Sequence, residues 1–146
     1  SEKSLYRLGW SMFKSSELEK AREAFAAQAQ KHPQGDLVVD ARMMVGECLF
    51  KAGKYEPALA SYEQGRESIR KADENSKTLR DAAERQVREL ILLHGGQSAA
   101  QLKRWDEAIE WYDELKQRFP ATAYLPQVLY VSVFAYQQMN QLYQAL

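Results

Sequence analysis

Long apolar runs, cysteine pairs and net charge are all missing from this 146-residue chain. Without a run of 18 apolar residues, no segment reads as a helix that spans a bilayer. A single cysteine, Cys48, has no partner for an intrachain disulfide. Set in Gly-Glu-Cys-Leu-Phe, it reads as a small buried filler. Twenty basic residues balance twenty acidic ones, which removes the broad electrostatic pull of a nucleic-acid or anionic-membrane binder. No basic, apolar and then small-residue leader is present, so any targeting signal is expected outside these residues. Glycine and proline are sparse, seven and four residues, and they fall between periodic segments. That pattern points to helices joined by short turns, in a chain long enough for one domain core.

The residues of catalysis are scarce as well. His32 and His94 are the only histidines; His32 precedes a turn proline and His94 precedes Gly95-Gly96. No spacing of His, Cys and Asp resembles a metal site, and no nucleophile stands with a base. Gly95-Gly96 lacks both the Lys-Ser/Thr and the preceding strand of a phosphate-binding loop. No catalytic, cofactor or metal residue is therefore expected, and the chain reads as a non-enzyme. Basic residues alternate with acids, as in RESIRKADE and KTLRDAAERQVRE, so no stripe for phosphate contacts forms and nucleic acid is not an expected partner.

What is present is a repeat. Leu18, Tyr55, Trp105 and Leu142 stand at intervals of 37, 50 and 37 residues, each followed three positions later by alanine: Ala21, Ala58, Ala108 and Ala145. An aromatic comes four residues after the first three alanines, at Phe25, Tyr62 and Tyr112. Nine residues before the first three aligned positions stand Gly9, Gly46 and Gly96, and proline closes two of the units at Pro33 and Pro120. A helix pair per unit explains the register. The small residues let two helices approach, the aromatic fills the space beside them, and proline ends the unit.

This pattern, Gly-x11-Ala-x3-aromatic-x7-Pro, resembles the tetratricopeptide repeat over three copies and the start of a fourth. The resemblance implies an all-α, right-handed superhelical solenoid of helical hairpins, about seven helices plus a C-terminal stub. Its repeats would cover about residues 2–35, 36–74, 75–121 and, in part, 122–146. The family's unit is about 34 residues, so these are long. Their texture is similar to repeats of bacterial envelope proteins of the Tol–Pal-associated and outer-membrane-assembly kind, which implies a periplasmic or cell-envelope setting. The function implied is protein binding along a concave groove lined by the first helix of each pair. Carried over position by position, the groove residues are Tyr6, Trp10 and Phe13, then Met43, Glu47, Phe50 and Lys51, then Leu90, Leu93, Gln97 and Gln101. The Lys, Asn and Arg clamp of chaperone-binding members is replaced by Tyr6, Trp10, Met44, Leu90 and His94, which disfavours that role.

Helices are expected at about 3–14, 17–31, 36–52, 55–73, 77–102, 105–119 and 122–139, with a stub from 142. Ser16-Glu17-Leu18-Glu19 reads as a capping box, Asp36 as a cap for the third helix, and Gly53 as its stop. Pro57 and Pro126 fall in first turns, where the missing N–H is harmless. The 50-residue unit has 13 extra residues, which should lengthen both helices of one hairpin around 66–90, with a turn at Asp73 to Ser76. That hairpin is either a solvated projection or a docking arm. Gly95 beside Gly96 marks a place for a kink. In RWDEAIEWYDELKQRFP, residues 104–120, Trp105, Ala108, Tyr112 and Pro120 are repeat positions. Asp106, Glu107, Glu110, Asp113 and Glu114 are then its wet face rather than an acid/base site, with Arg118 available to Glu114. Trp111 has no place in the pattern.

The segment 122–139 is apolar on most faces and therefore needs burial on both sides. Residues 1–146 thus read as a piece of a longer array whose apolar end self-associates when left bare.

Overall fold

The computed structural model describes residues 1–74 and 82–146. Seven helices follow one another among them: α1 (Glu2–Lys14), α2 (Leu18–Lys31), α3 (Val38–Lys51), α4 (Tyr55–Glu74), α5 (Ala82–Gln101), α6 (Trp105–Arg118) and α7 (Leu125–Ala145). No strand occurs among the described residues. Each helix packs on the next, and α3 also lies against α5. The odd-numbered helices thus form one layer of an all-α helical-repeat fold and the even-numbered helices the other.

Within three of the hairpins the chain turns in the same way. Ser16, Gly53 and Lys103 take the left-handed conformation, with φ of 63°, 76° and 60°. After α1, the Ser16 N–H donates to the Phe13 carbonyl at 3.0 Å and the Glu17 N–H to Met12 at 2.9 Å. Gly53 and Lys54 repeat this pair of bonds on Phe50 and Leu49, and Lys103 and Arg104 on Ala100 and Ala99, all at 2.9 Å. These are Schellman turns, in which the last carbonyls of one helix are met by the residues that open the next. Ser16 is therefore not the cap of α2: the N-cap is Glu17, with no side-chain cap bond. Its left-handed backbone belongs to the end of α1, and that conformation overrides the capping-box reading.

Asp36 is likewise not a cap. The N-cap of α3 is Leu37, and its N–H is met from a distance by the Glu2 carboxylate of α1 at 2.8 Å. Gly35 makes room for that reach, since a Cβ there would lie 2.1 Å from Glu2 Oε1. Pro126 sits in the first turn of α7 as expected.

The hairpins close where a ring of the second helix covers a glycine of the first. A Cβ on Gly9 would stand 2.7 Å from Phe25, one on Gly46 would stand 2.5 Å from Tyr62, and one on Gly96 2.3 Å from Tyr112. All three rings are fully buried, and so are Ala21, Ala58 and Ala108 one turn before them. Gly95 supports a fourth such contact rather than a kink. A Cβ there would come 2.5 Å from Trp111, and α5 continues through it without a break.

In the 50-residue unit, α4 and α5 have 20 residues each, where α2, α3 and α6 have 14. Six extra residues are about 9 Å of helix, so the added sequence lengthens both arms of that hairpin. Of the expected turn at Asp73 to Ser76, Asp73 and Glu74 instead end α4, and Asn75 and Ser76 lie outside the described residues. The Glu84–Arg88 pair is present at 3.2 Å.

The fourth unit departs from expectation. Instead of ending at 139 and restarting at 142, α7 runs unbroken from Leu125 to Ala145. At the other turns, the returning helix gains a buried alanine and aromatic. In the same register Leu142 and Ala145 stay exposed on α7.

Two substitutions test these contacts. Ser16→Gly removes a side chain from a left-handed position and should raise stability by about 0.5 to 1 kcal/mol in urea unfolding. Gly46→Ala should lower it despite alanine's better helix propensity, because overpacking against a pinned ring costs about 1 to 3 kcal/mol. Adding Tyr62→Leu should make the Gly46→Ala step less costly, and an equal cost in both backgrounds would contradict the contact.

Candidate protein-binding face

The odd-numbered helices present their polar and aromatic side chains as a connected series. On α1, Tyr6 meets Trp10 edge-on at 6.3 Å and Phe25 at 6.1 Å, while Trp10 meets Phe13 at 5.6 Å. All three α1 rings are half-buried, so each has one side in the core and another open. The next link crosses to α3, where Lys51 Nζ stands 5.0 Å above the Phe13 ring, within cation–π range.

From α3 the series passes to α5. Phe50 stacks on His94, with centroids 5.3 Å apart and planes 14° from parallel. Glu47 ties two helices at once: its carboxylate accepts from the Tyr62 hydroxyl at 2.8 Å and pairs with His94 Nδ1. Burial and the Glu47 charge push the Tyr62 hydroxyl pKa well up, so it remains a donor. Beyond His94, Gln97 and Gln101 of α5 and Phe134 of α7 line a cavity of about 550 Å³ together with Phe50, Trp105 and Tyr112.

Met43 and Leu93 are placed differently from the rest. They are 6% and 2% exposed and belong to the core between helices. Leu90 is half-buried and packs on the same core. The residues open to a partner are Tyr6, Trp10, Phe13, Glu47, Phe50, Lys51, Gln97 and Gln101. Two more join them that groove reasoning passed over, Trp105 and Phe134, and with them His94, which the sequence placed at a clamp position. Phe134 was within reach of the repeat register, because it stands where Trp10, Glu47 and Gln97 stand in the earlier units.

The carboxylates of α6 divide. Asp106, Glu107, Glu110 and Asp113 are exposed. Glu114 is not part of that wet face: Arg66 lies 3.2 Å away, Arg70 3.0 Å and Arg118 3.3 Å. Arg66 and Arg70 come from α4, so this cluster joins the even-numbered helices of two units. Arg104 and Glu56 add a second such bridge at 2.7 Å. Burial alone would raise the Glu114 pKa; hydrogen bonds from Arg70 and Arg66 and the charges of both hold it below the usual carboxylate value. Trp111 is 1% exposed, seated on Gly95 with the Arg66 guanidinium 4.4 Å from its ring.

Elsewhere the chemistry is quiet. Cys48 is 2% exposed, and burial pushes its thiol up to about 11, which keeps it protonated at neutral pH. Among the described residues no three His, Cys, Asp or Glu side chains gather into a metal-binding group. Nor is any helix among them long and apolar enough to cross a membrane.

The arginine cluster makes stability pH-dependent. A carboxyl whose folded pKa is depressed stabilises the fold above its unfolded pKa, and this contribution is lost as pH falls through the folded value. Unfolding midpoints should therefore drop on acidification from the ordinary value near 4.5 downward. Glu114→Gln should be less stable at pH 7 and should show a shallower acid loss than the wild type. An unchanged acid profile in Glu114→Gln would remove Glu114 from that account.

Against this geometry the comparisons with known proteins are specific. A tetratricopeptide-repeat model matches residues 6–75 and 76–123, which is most of the chain and spans all three complete hairpins. No curated protein matches the chain. Repeats of this family generally mediate protein–protein interaction, and they are typically non-catalytic. With its glycine–aromatic hairpins in register and its family match over those same units, the chain belongs to the tetratricopeptide repeat family.

Proposed function

We propose that this chain is a non-catalytic scaffold that binds a peptide or a partner helix along the face of its odd-numbered helices. One observation carries the reading. Phe13, Lys51, Phe50, His94, Gln97 and Phe134 form an unbroken series from α1 to α7, in which aromatic surface alternates with polar groups that can orient a ligand. Tyr6, Trp10 and Phe50 are the anchors, and Glu47 and Lys51 adjust specificity. Surface of this mixture suits a polypeptide better than a metabolite, since it is long, open and nowhere lined by convergent charges.

A second reading rests on α7. Tyr130 is 75% exposed, Val133 56%, Tyr136 54% and Leu142 59%, and the helix from Leu125 to Ala145 contains no charged residue. Such a face supports a structural role, self-association through α7, inside a larger multi-repeat protein. The long 37-residue spacing, similar to that of bacterial envelope repeats, supports a cell-envelope or periplasmic setting for either reading.

Selection from a random peptide library, followed by affinity measurement on the selected sequences, separates the two. Groove binding predicts saturable affinity that Trp10→Ala or Phe50→Ala weakens about tenfold or more, and that the exposed Lys51→Glu changes without loss of helicity. Selected peptides indifferent to all three substitutions would overturn it. Self-association predicts instead a mass that rises with concentration in light scattering and returns to monomer in Val133→Lys.

A further inference from the structure

The cavity between α5, the turn after it and α7 differs from the rest of the face in three respects. Its walls are rings, those of Phe50, Trp105 and Phe134, with Trp105 edge-on to Phe134 at 5.6 Å. At about 550 Å³ it has room for a large side chain and the backbone that bears it, with Lys103 the one charged residue among those lining it.

The third respect is an unmet hydrogen bond. Tyr112 is one of the residues that line this cavity, and its hydroxyl is buried and finds no partner in the chain. Its counterpart in the previous unit, Tyr62, donates to Glu47. The residue that corresponds to Glu47 is Gln97, a neutral amide that does not take up the Tyr112 proton. Burial raises the Tyr112 pKa, so the group stays a donor. A buried donor without an acceptor is costly, and an occupant that brings a carbonyl oxygen relieves that cost.

We propose that this cavity is a specificity subsite of the protein-binding face, taking one apolar side chain of a partner peptide whose adjacent carboxylate reaches Lys103. The proposal rests on the groove reading above. The rings hold the apolar side chain, the Tyr112 hydroxyl and the Gln97 and Gln101 amides meet the peptide backbone, and Lys103 selects a neighbouring acid over a base. A cationic residue beside the anchor meets Lys103 with no carboxylate in the lining to offset it.

The test uses the isotope-labelled chain and two blocked tripeptides at millimolar concentration, acetyl-Ala-Leu-Glu-amide and acetyl-Ala-Leu-Lys-amide. The glutamate peptide should shift the Trp105 indole and the Gln97 and Gln101 side-chain amide signals, and bind about twofold to fivefold tighter than the lysine peptide. Lys103→Glu should reverse that order. Tyr112→Phe keeps the ring over Gly96, so it should leave thermal stability equal or higher, yet weaken the glutamate peptide about threefold or more. Shifts confined to Trp10 and Phe13 would keep the groove and sink this subsite. No shift at any of these signals with either peptide would overturn the subsite, while peptides selected from a library and weakened by Trp10→Ala would still uphold the groove. Signals at Trp105 and Phe134 that move with protein concentration alone would assign the cavity to a second copy of α7. Equal binding by wild type and Tyr112→Phe would remove the hydroxyl from the site.

Discussion

A ring of one helix pressed against a bare glycine of its partner is the contact on which the other features depend. Because Phe25, Tyr62 and Tyr112 sit where Gly9, Gly46 and Gly96 leave no side chain, each hairpin closes at short range. Interhelical distance is set by the bulk at the contact, so three like contacts produce three like hairpins. Like hairpins stack into two layers, and only the stack brings side chains from α1, α3, α5 and α7 onto one face.

The two layers are held by different physics. Even-numbered helices meet through ion pairs, with Glu114 between Arg66, Arg70 and Arg118 and a second link from Arg104 to Glu56. Odd-numbered helices meet through rings and partly buried polar groups, Phe50 on His94 and Glu47 between His94 and Tyr62. The outer pair of the charged layer, Arg104 and Glu56, is solvated, whereas Glu114 and Arg66 are largely enclosed and rely on each other. The aromatic layer retains half-exposed apolar surface, which is the property a binding face needs. The proposed binding face is therefore the layer whose packing is incomplete.

Variation between units then gives each stretch of the face its own character. Position by position, Trp10, Glu47, Gln97 and Phe134 occupy one site in the repeat. In the second unit the acid satisfies the tyrosine below it and braces a histidine from the next helix. In the third the amide does not, and the tyrosine hydroxyl is left without an acceptor beside an aromatic cavity. One difference at an equivalent position removes a structural bridge, and the proposed subsite is built on the hydroxyl left unmet.

The sequence by itself determined the repeat, the all-α class and the identity of the hairpin contacts, because glycine, alanine and aromatic residues at fixed intervals are a local record of helix-to-helix distance. It also placed the lengthened hairpin, since the 13 added residues bring no proline between Tyr62 and Gly96. It misplaced Ser16 and Asp36 as caps, because Schellman bonds and the distant Glu2 carboxylate settle those helix ends through contacts that local pattern does not carry. It broke α7 at Asn140, where the helix instead continues to Ala145. Only the tertiary structure decided that Met43 and Leu93 are core while His94 and Phe134 face outward, that Glu114 is clasped rather than solvated, and that Trp111 rests on Gly95. Each of these depends on which neighbour arrives from a different unit, and burial is a property of that meeting rather than of the residue.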